Sequence, residues 1–380
     1  MIKSKLKTSR GGVFLLLTFL FFACANGSSG EDSDYSPESK WQKGTYLAVC
    51  YNQKVQQMGT YEYLLEHPAN RSVLTVLTNK YSTSWYNGKN WVDVPNISYE
   101  ESTLTSTGTN LIATTSSKTL TIAGSTKDKL KNYEGKSVWV YQEESLGKNI
   151  FFAKNESNPE SEINILETPD DSWKDSEQIS RINNYLGSIN TGGKAFGFVV
   201  VIHDNSIYQT GEYQYIYNHP FNKTVALATG GMNFIEVEVQ KIENPNSTYE
   251  PFIIVEHAGK NILPTEEQQE GLKKFIGKKV TLGIRLEDFY YKETSWDENN
   301  IEAKVKSIEE FEFFNYIHFM LGSTEIIAKI PKNDKSNFYI GETINIKPAI
   351  TRCKFFEKNS NPYEEKNICE KVDPTWEKDF

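Results

Sequence analysis

Residues 49–73 align without a gap on residues 201–225, and this internal repeat constrains the fold of the 380-residue chain more than any other feature. Nine of the 25 positions are identical: Val49, Gln57, Gly59, Tyr61, Tyr63, His67, Pro68, Asn70 and Val73. Unrelated segments of ordinary composition share about one or two. A second block follows in each half, residues 130–138 against 272–280, with Gly135-Lys136 matching Gly277-Lys278. Two blocks recurring in the same order read as a tandem duplication.

Short runs rich in Tyr, Phe, Val, Ile and Thr, with 13% aromatic residues overall, favour strands. The expected strands are 45–53 and 196–204, 59–65 and 211–217, 72–78 and 224–228, then 235–242, 252–256, 278–286 and 301–311. The second pair stops at His-Pro, where the ladder loses a donor. Thr265, followed by acids and then by lysines, predicts a short helix over 265–276, and residues 175–186 offer another. The fold class is therefore mainly β, with two tandem duplicated barrel or sandwich domains, each with a short helix, and a small β C-terminal piece. Strands, a short helix, then Gly-Lys-x-Val and further strands resemble the element order of an OB-fold barrel; a β-sandwich competes with it. The expected domains are 41–155 and 193–315, joined by an acidic connection over 156–192. Residues 316–380 follow, and the run Phe338-Tyr-Ile-Gly-Glu echoes the Gly-plus-strand block as a truncated third copy.

The repeated residues are the candidate binding positions. Tyr61 and Tyr63, matched by Tyr213 and Tyr215, stand two apart, so on a strand both rings share a face. They form either an aromatic platform for a flat ligand or a cross-strand ladder in the core. His67 and His219 precede proline; a turn at a strand end is the plain reading, because a metal site needs several convergent ligands and no second His or Cys stands at ligand spacing. No metal or other cofactor is expected. Cys353 and Cys369 form a disulfide or remain free thiols. Cys50 matches Ile202 in the other copy, which makes it a packing position. The sequence contains no HExxH, GxSxG or EF-hand pattern. Gly192-Gly193-Lys194 lacks the upstream glycine of a P-loop and is followed by Ala195. Asp170/Asp171, Asp297/Glu298 and Glu309/Glu310 are scattered carboxylate pairs of the solvated kind.

The N-terminus carries Lys3, Lys5, Lys7 and Arg10 without an acid, then an apolar run over 13–23 that ends at Cys24. Eleven residues make a helix of about 16 Å, roughly half a hydrocarbon core, so the run reads as a cleaved signal. Phe21-Phe22-Ala23-Cys24 resembles the lipobox of bacterial lipoprotein signal peptides. That resemblance implies cleavage before Cys24 and lipid on its thiol, although Phe21 stands where Leu is commonest. The rival is an A-x-A site at Ala23 and Ala25. Residues 24–40 are small, polar and acidic, as suits a tether. Without residues 1–23 the chain has 37 basic and 50 acidic side chains, a net charge of −13, which argues against a nucleic-acid partner. The expected function is a non-enzymatic, lipid-anchored envelope protein, at the outer membrane or cell surface, whose paired β modules bind a protein or glycan. Repeated modules can gain avidity from two weak contacts. The alternative is a glycan-directed hydrolase with a carboxylate pair in one copy, marked by a polar cluster that the other copy lacks.

Overall fold

The structure, a computed structural model, describes residues 44–51, 54–78, 100–143, 148–155, 161–166, 174, 176–188, 197–204, 206–242, 252–291, 299–310, 314–331, 338–361 and 364–369. Cys24 and the acidic stretch 24–40 lie outside the described residues, as do the carboxylate pairs at 170/171 and 297/298. The protein is mainly β, as its composition predicts.

Each copy opens with two strands and two helices. Copy 1 has β1 (Thr45–Tyr51), β2 (Lys54–Gly59), α1 (Tyr61–Glu66) and α2 (Arg71–Thr78). The second copy answers further along with β8 (Gly197–His203), β9 (Ser206–Gly211), α5 (Tyr213–Asn218) and α6 (Lys223–Ala228). The strands expected over 59–65, 72–78, 211–217 and 224–228 are therefore helices. Tyrosine and β-branched content pointed to strands, but the apolar spacing is helical: Leu64 and Leu65 lie three and four residues after Tyr61, and both are buried. Thr60 caps α1 by accepting from the Tyr63 N–H at 3.3 Å; Asn70 and Asn222 accept from Val73 at 3.1 Å and Val225 at 2.9 Å. In α2, burial of Val73, Leu74, Val76 and Leu77 overrides weak helix propensity.

β1 and β8 pair antiparallel, giving one sheet in the order β2-β1-β8-β9. Ala48 faces Val200 directly, and these two are equivalent under the repeat. A local two-fold axis therefore passes between them. One face of this sheet, with Leu47, Val49, Val199 and Val201, packs under the four short helices. The other face, with Ala48, Cys50, Phe198 and Val200, is covered by α4 (Ser176–Ser188) through Ile182 and Leu186. A helix expected in a connecting segment thus closes the core.

After the paired strands each copy builds a five-stranded sheet. In copy 1, β3 (Glu100–Thr107), β4 (Asn110–Thr114), β5 (Thr119–Ile122), α3 (Gly124–Leu130), β6 (Ser137–Glu143) and β7 (Lys148–Ala153) assemble in the order β5-β4-β3-β6-β7. In copy 2, β10 (Met232–Ile242), β11 (Phe252–His257), β12 (Lys260–Ile262), α7 (Glu266–Leu272) and β13 (Lys279–Arg285) repeat the pattern, and α7 has the expected Thr265 cap in a full capping box with Gln268. The fifth strand arrives late, as β19 (Lys354–Glu357), giving β12-β11-β10-β13-β19. Between β13 and β19 runs a third sheet, β14 (Phe289–Tyr291), β15 (Ile301–Glu310), β16 (Phe314–Leu321), β17 (Thr324–Pro331) and β18 (Thr343–Pro348), in the order β14-β18-β15-β16-β17. The boundary expected at 315/316 falls inside β16.

The third sheet repeats the turn of the other two. Gly135, Gly277 and Gly341 all have positive φ (74°, 75° and 87°), where glycine carries no steric cost. Their N–H groups donate to the carbonyls of Leu104, Val239 and Val305 at 2.7–2.8 Å. The echo at residue 338 is thus the same turn in a third sheet, whose fifth place is filled by β14, a strand that comes first in the chain.

Candidate functional site

The His-Pro turns are built around a glutamine. Gln57, fully buried, donates from Nε2 to the His67 carbonyl at 2.8 Å and accepts from the Ala69 N–H at 2.8 Å. Gln209 holds His219 and Phe221 in the same way, at 3.0 and 2.8 Å. One primary amide thus satisfies two backbone groups that the helix end leaves without intrahelical partners. These contacts use the backbone of each histidine, as a turn-forming residue requires. Among the described residues no group of three His, Cys, Asp or Glu side chains is placed to hold a metal.

The helices separate the tyrosines that a strand would have aligned. Residues two apart on a helix lie on nearly opposite sides. Tyr61 and Tyr213 turn inward and stack on each other across the two-fold axis, with ring centres 5.3 Å apart and planes 3° from parallel. The buried Tyr213 donates its O–H to the Thr229 carbonyl at 2.6 Å, and burial raises its phenol. Tyr63 and Tyr215 turn outward, each lying against its own copy's histidine, His67 or His219, at 5.0 Å. The edge of Tyr63 also lies over Gly59, where a Cβ would come within 2.9 Å of it. The four repeated tyrosines are thus one intercopy stack and two outer Tyr–His pairs, and the four rings share no single face.

A further repeat, not read from the sequence, locks each five-stranded sheet to its helices. Glu162-Ile-Asn164 and Glu365-Lys-Asn367 occupy matching places. The carbonyls of Glu162 and Glu365 accept from Arg71 and Lys223 at 3.0 and 2.9 Å, and their buried carboxylates pair with the same two cations. Asn164 and Asn367 donate to the carbonyls of Pro68 and Pro220 at 3.2 and 3.3 Å. The sequence clue was present in Phe-Phe-x-Lys-Asn at both 151 and 355, followed by Ser-Asn-Pro directly at 360 and after Glu156 at 157.

Two polar clusters have no counterpart across the axis among the described residues. At the start of the third sheet, buried Arg285 donates to the carbonyls of Ala226 (2.7 Å), Gly230 (3.0 Å) and Tyr217 (2.8 Å) and to the Thr229 hydroxyl (3.0 Å). Its guanidinium lies 3.9 Å from the centre of the Tyr217 ring, while Tyr217 bonds Glu287. Beside it Asp288, raised chiefly by burial, meets Arg352 at 2.9 Å. The arginine's donors close a junction between pieces of the fold. The second cluster stands at the end of the four-stranded sheet. Thr45 Oγ1 lies 2.7 Å from His203 Nδ1, and His203 Nε2 lies 3.4 Å from Asp204 Oδ2. Asp204 Oδ1 accepts from the Gly44 N–H at 2.9 Å, and its own N–H donates to the Gly44 carbonyl at 3.1 Å.

Cys353 and Cys369 are free thiols in the structure; the bridge is absent. Cys353 is buried with its Sγ 3.7 Å from the Ala349 carbonyl, whereas Cys369 Sγ lies 3.5 Å from the Gln268 carbonyl. Cys50 is buried, as a packing position should be, and burial raises its thiol.

No family model matches the chain. It is 26% identical over 161 residues to the uncharacterized ABC transporter ATP-binding protein YcjV of Escherichia coli O157:H7, covering 42% of this chain and 41% of that protein. The corresponding protein of Escherichia coli strain UTI89 is 27% identical over the same length. The chain therefore spans about two-fifths of the curated relatives that it matches. Among solved structures, the cytoplasmic molybdate-binding protein ModG aligns with 94% of its own chain and 32% of this one, at 14% identity and a TM-score of 0.26.

Proposed function

We propose that the protein is a bacterial envelope lipoprotein, anchored through lipid on Cys24 at the outer membrane or cell surface, and that its duplicated OB-like modules act as a binding or scaffold body for a protein or glycan. The observation that carries the scaffold reading is the use of the repeated residues. Gln57, Asn70, Tyr61 and Val73, with their counterparts, are engaged in caps, clamps, a stack and the core, which fits a rigid body that displays surfaces. The anchor rests on the sequence at 21–24. Two or more acyl chains give stable attachment, whereas one gives only marginal binding.

Protease treatment of intact cells tests the surface assignment. The folded part should be removed from intact cells while a periplasmic marker survives. Full protection until the outer membrane is breached would overturn surface display.

A further inference from the structure

The two-fold axis supplies an internal control for the Thr45–His203–Asp204 cluster. The repeat places Gly197 at the counterpart of Thr45 and Tyr51 at that of His203, and these two also pair across the sheet. The fold therefore closes this corner without a hydroxyl or an imidazole. Sterics account for the difference. A Cβ on Gly197 would lie 2.5 Å from Val76 Cγ2, whereas the position matching Val76 in copy 2 is the smaller Ala228. Copy 2 has room for the threonine, but nothing in the repeat requires the histidine and aspartate beside it.

The order of the contacts, hydroxyl to imidazole to carboxylate, is that of a proton relay. A carboxylate only accepts, and Asp204 Oδ2 lies 3.4 Å from His203 Nε2, which suits the tautomer with its proton on Nε2. That leaves the Nδ1 lone pair to accept from Thr45 Oγ1, at 2.7 Å. His203 is only 5% exposed, so packing fixes its orientation; the Tyr208 ring stands edge-on to it at 5.4 Å. Thr45 is half-buried, and Asp204 is exposed. Hydroxyl, base and orienting carboxylate are the parts of an activated nucleophile.

We propose that Thr45, His203 and Asp204 form an esterolytic site that acts on small or extended acyl esters able to reach this end of the four-stranded sheet. Thr45 Oγ attacks the ester carbonyl and its proton passes to His203 Nδ1. The tetrahedral adduct expels the alcohol, which takes that proton, leaving an acyl-threonine and a neutral imidazole. Water, deprotonated by the same nitrogen, then releases the acid and restores the hydroxyl. The proposal concerns an acyl-transfer activity separate from the scaffold reading and does not depend on the lipid anchor.

Covalent labelling of the full chain with an alkyl fluorophosphonate tests it. Oγ bonds to phosphorus, fluoride leaves, and the proton goes to His203. The expected result is a single adduct mapped by peptide mass spectrometry to Thr45. It should be absent in Thr45→Val and formed about 100-fold or more slowly in His203→Gln, in line with the usual worth of a general base. Thr45→Val is nearly isosteric, and its circular dichroism should match the wild type. A folded wild type without a Thr45 adduct would overturn the proposal, as would labelling that His203→Gln leaves unchanged. Should His203→Gln unfold, Asp204→Asn at the exposed end decides instead, with slower labelling expected and an unchanged rate counting against the relay.

Discussion

Gln57 and Gln209 are the residues whose identity in the two copies the fold explains most fully. Each amide bonds a carbonyl and an N–H of the His-Pro turn, and both glutamines are buried. Replacing Gln57 by Leu keeps most of the volume but leaves two part-buried backbone groups without this partner, at about 1–3 kcal/mol each. Urea unfolding should show Gln57→Leu destabilised by about 2–4 kcal/mol; a change below 0.5 kcal/mol, on the order of a surface substitution, would remove the clamp from the account. Glu212, at the N-cap of α5, makes a pH-dependent prediction. Burial raises its carboxyl from 4.5 to about 7. Below about 4.5 the group is protonated in both states. Between there and 7 the unfolded chain ionises first, so stability falls as pH rises and stays lowered above 7. Glu212→Gln should be neutral at pH 4 and stabilising by up to about 3 kcal/mol at pH 8, measured by denaturant midpoints at both. The repeat marked the glutamines, histidines and tyrosines in the sequence but not their roles, because a buried amide clamp depends on where the turn folds back.

At the scale of elements, the Thr265 cap and the turn glycines were readable because each depends on local chemistry. The four short helices were not. A six-residue run such as Tyr61–Glu66 fits either period, and its aromatic content favoured the wrong one. Only its packing under β1 and β8 decides the matter. The segment 364–369, which bridges β19 and the start of α6, was missed for a related reason: 79 residues separate it from the end of β13, the strand that β19 pairs with. Gly271 in α7 tests that packing. An added Cβ would lie 2.8 Å from Cys369 Cα and from the Ile368 carbonyl. Alanine normally gains about 1 kcal/mol over glycine inside a helix, but forced contact with backbone costs about 1–3 kcal/mol. Gly271→Ala should therefore lower the thermal midpoint; a raised midpoint would show that Ile368 and Cys369 do not press on α7.

Over the whole molecule, the duplication was legible and its geometry was not. The two copies follow one another in tandem, as the repeat predicts, and the chain also joins the first strands of both into one sheet around Ala48 and Val200. The cores of the second and third sheets are likewise continuous, running from Ile235 and Val280 to Ile317 and Phe319. Strand register across 152 residues is set by complementary faces, which one sequence does not display. The described residues thus form a core with a local two-fold axis at Ala48 and Val200 and a third sheet joined to the second, and the proposal is that lipid on Cys24 anchors it to a membrane. Metabolic labelling with palmitate tests that claim most directly. Wild-type protein should incorporate the label and Cys24→Ala should not, with the variant retained at precursor length; unlabelled wild type, or label persisting in Cys24→Ala, would contradict the lipid anchor.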